Sequence, residues 1–161
     1  MSGMGFGKTP IVGSGSRNRL LVSDTTTVTK SSIVPPEFYT EALPANTLQT
    51  NGDFLYLETA FDISVAGPNT LGVTFDSSSV ASLAVGASPQ IVIFQVTITR
   101  ISAALLTIGA QIFQDGTSFV LQASTLATDL TVSQDISVVA TALSGTVSSR
   151  YVYISYFKAT S

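Results

Sequence analysis

Short runs of alternating apolar and polar residues fill the chain from Phe38 onward, and turn residues separate them. The clearest runs are 54–63 and 90–101, where every second residue is apolar over most of the length. A period of two is typical of a β-strand with one buried face and one solvated face. About nine strand candidates follow one another in this way, and no run has the 3.6-residue period of an amphipathic helix. The pattern predicts an all-β protein.

Turn residues mark where the predicted strands end. Pro44 stops a strand that starts at Phe38, because proline cannot donate a hydrogen bond to a sheet ladder. Asn51-Gly52-Asp53 and Asp115-Gly116 are turn signals, since Gly and Asn tolerate positive φ and Asp bonds back to nearby backbone. Short strands at regular spacing favour a jelly-roll sandwich of about eight strands. An immunoglobulin-like sandwich is the alternative, but its Cys and Trp landmarks are missing from this chain.

The first 35 residues are predicted to form an extended N-terminal arm and connector, and residues 36–161 the jelly-roll domain. Five of the chain's twelve glycines lie in the first fifteen residues, and that density opposes independent folding. The arm therefore needs a partner surface. The predicted partner-binding residues of the arm are apolar anchors and cations: Phe6, Lys8, Ile11, Arg17 and Arg19.

Charge is scarce and unevenly distributed. Residues 1–30 carry a net charge of +3 and the remaining residues carry −6, so a basic arm precedes an acidic body. Such an arm is expected to reach an acidic surface on a neighbour or on another copy of the chain. Charged residues make up only 11% of the chain, which favours burial of part of its outside against other subunits. A surface coated with Ser and Thr is the alternative.

The last predicted strand carries aromatic residues on both faces. Tyr151, Tyr153 and Phe157 lie on one face, opposite Val152, Ile154 and Tyr156. A strand of this kind is expected to be covered on both sides, by the second sheet or by a neighbouring subunit. The tyrosines would also suit a sugar-binding or receptor-binding surface, but subunit packing is the favoured interpretation.

The residue inventory argues against catalysis and against metal or cofactor binding. The chain has no His and no Cys, so it lacks the commonest general base and metal ligands. Glu58 and Asp62 share a strand face but read as solvent-facing residues rather than a catalytic pair. Asp53, Asp115 and Asp129 would suit Ca²⁺, yet Asp is also the ordinary turn residue. We expect no enzyme activity, no cofactor and no metal.

Nucleic-acid and membrane partners are also not expected. A net charge of −3 opposes binding to phosphates. The long apolar stretch 90–113 is interrupted by Arg100 and by two glutamines, and its β-branched residues alternate. It therefore reads as two buried strands around a turn, not as a membrane helix.

The run LPANTLQTNGDFLYLE at 43–58 resembles the opening signature of a family of small phage virion jelly rolls. In that family a strand ends in Pro-Ala-Asn-Thr-Leu and is followed by Gly-Asp and a strand of alternating hydrophobics. The resemblance extends in order over about 38–161 and does not cover the arm. It implies a trimeric jelly roll on a virion, as a capsid decoration (cement) protein or as a fibre or spike domain.

The expected function is therefore structural. A homotrimer would lie on the outer surface of a phage capsid, bind the major capsid protein or other virion proteins, and stabilise the head. The alternative is a tail-fibre, spike or head-fibre domain that binds a host receptor or glycan.

Overall fold

Two antiparallel β-sheets packed face to face make up the protein. The computed structural model describes residues 18–34, 36–64, 68–86, 89–116 and 118–159. The larger sheet has seven strands and the smaller has four. The strands are β1 (Asn18–Asp24), β2 (Val28–Lys30), β3 (Glu37–Leu43), β4 (Phe54–Ile63), β5 (Asn69–Phe75), β6 (Ser78–Val85), β7 (Gln90–Ser102), β8 (Leu105–Gln114), β9 (Ser118–Ala127), β10 (Gln134–Ala142) and β11 (Val147–Phe157).

The strand pairing is that of a long hairpin rolled up on itself. β1 pairs with β11, β3 with β10, β4 with β7, and β5 with β6. Rolling then places β4 beside β11 in the larger sheet and β5 beside β10 in the smaller sheet. These eight strands have jelly-roll topology, as predicted. The nine strand candidates of the sequence correspond to β3–β11, and the two strands not among them are β1 and β2 in the predicted connector. Three strands lie outside the roll, namely β2 and the hairpin β8–β9.

The predicted connector contributes strands to the larger sheet. β1 and β2 both lie in the segment 1–35 that was predicted as arm and connector, and both pair with β11 on the side away from β4. Val22 of β1 is buried in the sandwich. The boundary between residues 35 and 36 stays a prediction, and the arm before residue 18 lies outside the described residues.

The core fills the space between the two sheets. Three phenylalanine rings meet at its centre, with the Phe61 centroid 5.4 Å from that of Phe38 and 5.7 Å from that of Phe94. Both contacts are edge-to-face, the arrangement that aromatic quadrupoles favour. The buried Thr59 hydroxyl donates to the Tyr151 carbonyl oxygen at 2.8 Å, so this polar group is satisfied inside the core.

The apolar stretch 90–113 forms two strands, as predicted. β7 and β8 cover it and pair with each other around a turn at residues 103–104. In the part of the chain that the structure describes, no helix is long and apolar enough to cross a membrane.

Candidate functional site

The candidate binding surface is the outer face of the larger sheet, meaning the side chains of β11, β4, β7 and β8 that point away from the smaller sheet. One row of it runs across four strands, because Tyr153 lies opposite Glu58, Glu58 opposite Gln95, and Gln95 opposite Gln111. Cross-strand neighbours on one face of an antiparallel sheet contact each other directly. The row therefore places an aromatic ring, a carboxylate and two amides side by side.

Glu58 is the centre of a hydrogen-bond network on this face. Tyr151 donates its hydroxyl hydrogen bond to Glu58 Oε1 at 2.9 Å. Tyr56 and Gln95 donate to Oε2 at 2.9 and 3.0 Å. Three donors from three strands thus satisfy one carboxylate and fix the orientation of two tyrosine rings. The Tyr153 ring lies 4.9 Å from the Tyr151 ring and extends the aromatic surface.

The tyrosines of the network are poor acids. Burial raises the pKa of Tyr151 to about 12, and its hydrogen bond to Glu58 and the negative charge of that residue add to the effect. The same causes, burial first, raise the pKa of Tyr56 still further above its ordinary value. Both hydroxyls therefore stay protonated donors at neutral pH, and the network holds one negative charge surrounded by neutral groups.

A shallow depression of about 380 Å³ adjoins the Glu58 network. Tyr56, Gln95 and Gln111 lie on its walls, and Gly109 leaves part of it open because no side chain fills the space there. Leu121 of β9 forms the far rim and is 65% exposed. The residues that line the depression provide amides, hydroxyls and one aromatic ring, and none of these lining residues is charged.

A second opening, of about 420 Å³, lies at one end of the sandwich beside β1. Arg19 and Lys158 line it together with Tyr156 and residues of the 44–49 loop, so we call it the cationic cleft. Arg19 is exposed, and it lies close enough to lower the pKa of Tyr156 in part. Burial and the hydrogen bond to Asp53 nevertheless raise that pKa to about 12.

The wall of the cationic cleft is fixed from behind by Asp53. This fully buried carboxylate accepts hydrogen bonds from the backbone N–H groups of Gln49 (3.0 Å), Thr50 (2.9 Å) and Ala159 (2.8 Å), and from the Tyr156 hydroxyl at 2.9 Å. Burial alone would raise the pKa of Asp53, but these four hydrogen bonds together hold it below its ordinary value. The loop that resembles the virion family is therefore held to β11 and to the chain that follows it.

The structure brings together only part of the predicted site. Arg19 lies on β1 at the cationic cleft, whereas Phe6, Lys8, Ile11 and Arg17 lie outside the described residues.

The three turn aspartates have other roles. Asp53 is saturated by its four donors, Asp115 accepts the Ile91 N–H at 3.0 Å, and Asp129 accepts the N–H and the hydroxyl of Thr131 at 2.9 and 2.6 Å. Over the described ranges, no three acidic side chains converge in a way that would hold a metal ion. Asp62 does not pair with Glu58 but forms an ion pair with Arg150 at the far end of the outer face.

Sequence reasoning missed three contributors to these surfaces. Gln95 and Gln111 were given no functional role, although both sit on the outward phase of their strands. Lys158 follows the last strand directly, and only the fold shows that it lines the same cleft as Arg19. The alternation along each strand could have identified Gln95 and Gln111 as outward-facing. The sequence contains no signal that β1 pairs with β11.

Comparisons with known proteins give two partial likenesses. No protein-family model matches the chain, and no curated protein matches it. The C-terminal domain of EclA, a sugar-binding protein, is similar with a TM-score of 0.43 and 10% identity, over 81% of this chain and 78% of that one. The CBM2 module of the evolved Dit of Lactobacillus casei BL23 phage J-1 is similar with a TM-score of 0.38 and 12% identity, over 76% of this chain and 70% of that one. Both scores lie below 0.5, so neither likeness assigns a function to this chain.

Proposed function

We propose that this protein is a structural component of a phage virion that acts by binding: a homotrimer on the outer surface of the capsid, which decorates and stabilises the head. The role in the virion rests on the 43–58 signature. The observation that carries the self-association is the outer face, with its aromatic side chains and its internally satisfied carboxylate. No reaction is part of this role.

Solvated faces of antiparallel sheets are normally polar and charged, and this one departs from that rule. The side chains at its centre are mostly those of Tyr, Phe, Gln, Thr and Ile. Among the described residues, Glu58 is the charged side chain at this centre, and the Asp62–Arg150 ion pair lies at one end of the face. Interfaces are enriched in Tyr and Phe and depleted of charge in the same way. Because Glu58 already accepts three hydrogen bonds, its desolvation in an interface costs less than that of a free carboxylate.

The outer face is also large enough for a stable contact. Four strands of ten residues, at about 4.8 Å between strands and about 3.3 Å per residue, give a face of roughly 600 Å². A standard interface buries about 800 Å² per partner, so the face with its rim reaches that size.

The trimer is tested by adding charge to this face. The double variant Tyr153→Glu and Gln111→Glu puts a carboxylate on each side of Glu58, and both positions lie on the outward phase of their strands. Light scattering should give three times the 16.8 kDa chain mass for the unchanged protein and the mass of one chain for the variant. Ala84→Glu, at an exposed position of the smaller sheet, is the control and should stay trimeric. A monomer for the unchanged chain at micromolar concentration would overturn the trimer.

Binding to the capsid is assigned to the arm and to the cationic cleft at its root. Phe6 and Ile11 would occupy apolar slots on neighbouring subunits, and Lys8, Arg17 and Arg19 would bind their carboxylates. Purified protein is added to shells that lack it, and the shells are heated. Full-length protein should raise the shell's melting temperature, and protein without residues 1–18 should raise it less or not at all. If full-length protein neither binds nor protects the shell, the decoration role is wrong.

A fibre or spike role with a glycan as ligand is the second candidate. The depression beside Glu58 favours it, since amides, hydroxyls and a Tyr ring around an uncharged opening suit a sugar. Neutral oligosaccharides would then bind the unchanged protein, and Gly109→Leu would block them by filling the depression. If the protein binds shells but no oligosaccharide, the fibre or spike role is wrong and only the decoration role remains.

A further inference from the structure

The edge strands of the two sheets differ in how they are protected against pairing with another chain. An exposed sheet edge is normally protected by charges, bulges, prolines or a covering segment. The β1 edge has a register shift between Leu20 and Val22 and carries Arg19 and Asp24. The β3 edge has a register shift at its pairing with β10 and carries Glu37 and Glu41. Both edges therefore have two of the usual protections.

The β6 edge is covered by a side chain from the other sheet. Gln122 accepts a hydrogen bond from the Ser82 N–H at 3.0 Å and donates to the Ser82 carbonyl oxygen at 2.6 Å. One amide group thus occupies the donor and the acceptor of a single residue of the edge strand, much as a neighbouring strand would. β6 also has a register shift at its pairing with β5.

The β9 edge has none of these protections. β9 (Ser118–Ala127) is ten residues long and contains no charged residue, no proline and no glycine. Its ladder with β8 runs through ten consecutive pairs without a register shift. No strand of the described ranges pairs with its other side. Near its middle, Leu121 is 65% exposed.

We propose that the free edge of β9 pairs antiparallel with β9 of a second copy of the chain, about a two-fold axis, and continues the larger sheet across both copies. The second copy suits this edge because an uncharged strand meets no like-charge repulsion when it pairs with itself. A ladder without a bulge presents its free N–H and C=O groups in a regular row, which a strand of equal length satisfies. Leu121 gains a neighbour across the new ladder.

This contact is separate from the outer face. The outer face of the proposed trimer is a surface of side chains, whereas the β9 contact uses backbone groups at the sheet's rim. The β9 contact would join trimers transiently, and the two contacts can fail independently. The double variant Tyr153→Glu and Gln111→Glu, although a monomer by light scattering, should still give the β9-linked dimer when the transient pairing is trapped by a disulfide.

The absence of cysteine from the chain permits a clean test. Single cysteines are placed at each position of 121–125 in the full chain, and disulfide formation is followed under mild oxidation. Residues that face each other near the two-fold axis lie about 4.5–5.5 Å apart between Cα atoms, within the range a disulfide bridges. The dimer should form quickly at one or two neighbouring positions and slowly at the rest. Ala84→Cys, exposed on the β6 strand, reports random collisions.

A second variant distinguishes edge pairing from collision. Leu121→Lys adds a positive charge to each copy close to the two-fold axis, and the exposed position should leave the fold intact. Combined with the best cysteine among positions 122–125, it should reduce the disulfide yield to the level of the Ala84→Cys control. Equal yields at all five positions, or a yield that Leu121→Lys does not change, would overturn the pairing.

Discussion

At the scale of single residues, Asp53 is a side chain that holds three backbone N–H groups in place. Its four hydrogen bonds join the loop after β3 to Tyr156 and to Ala159, beyond the end of the last strand. Arg100 supports the same loop by donating to the Leu48 carbonyl oxygen at 2.7 Å. The two contacts fix the wall of the cationic cleft, so its geometry does not depend on a ligand.

Asp53→Asn should lower the free energy of unfolding at pH 7 by about 1–3 kcal/mol, because the amide nitrogen then faces N–H donors. The folded pKa of Asp53 lies below its unfolded value of about 3.9, so its stabilisation is present above that pH and is lost as pH falls through the folded pKa. Urea denaturation at neutral and acid pH measures both effects. The difference between variant and unchanged protein should shrink in acid. Asp135→Asn, at an exposed position, is the control, and an equal loss there would contradict this role of Asp53.

At the scale of strands, two glycines show that the same residue type has different roles in the two sheets. Gly72 lies in β5, where an added Cβ would overlap the carbonyl oxygen of Ala81 in β6. Gly109 lies in β8 on the outer face, where an added Cβ would meet no heavy atom within 4 Å. Glycine at 72 is required by close strand packing, whereas glycine at 109 only leaves a surface open.

Gly72→Ala should destabilise the protein by at least about 1–3 kcal/mol, since the backbone of β6 must move to admit the methyl group. Gly109→Ala should be neutral or stabilising by up to about 1 kcal/mol, because alanine restricts the unfolded chain more than glycine does. Both values come from urea denaturation of otherwise identical proteins. A Gly109→Ala loss as large as that of Gly72→Ala would contradict this account of the two strands.

At the scale of the whole molecule, partly buried tyrosine–carboxylate pairs recur at three places in the sandwich. Glu58 accepts from Tyr56 and Tyr151 on the outer face, Asp53 from Tyr156 at the cleft, and Glu41 from Tyr39 at 2.7 Å on β3. In each pair, burial is the first cause of a raised tyrosine pKa, and the hydrogen-bonded carboxylate adds to it. Because the tyrosine pKa values are raised in the folded protein, its stability should depend on pH in the alkaline range.

The protein should lose stability as pH rises from about 10, the pKa of an unfolded tyrosine, towards 12, the approximate folded value for Tyr151 and Tyr156. A raised folded pKa stabilises the protonated fold below the unfolded pKa, and this contribution disappears as pH passes the folded value. In a pH titration, tyrosinate absorbance should therefore appear at a higher pH in the folded protein than in the protein unfolded in urea. Matching titration curves in both conditions would contradict the pairing of tyrosines with carboxylates.

The sequence by itself determined the strands, the turns and which side chains share a face, because a two-residue period and turn chemistry are local properties of the chain. It thereby placed Glu58 on one face of its strand and Tyr151 and Tyr153 on one face of theirs. Only the tertiary structure decided that these faces meet, that β1 and β2 join β11, and that β9 ends the larger sheet. Alternation records which way a side chain points and not which strand lies beside it. Partners separated by about a hundred residues are set by the register of the rolled hairpin and by packing around Phe61.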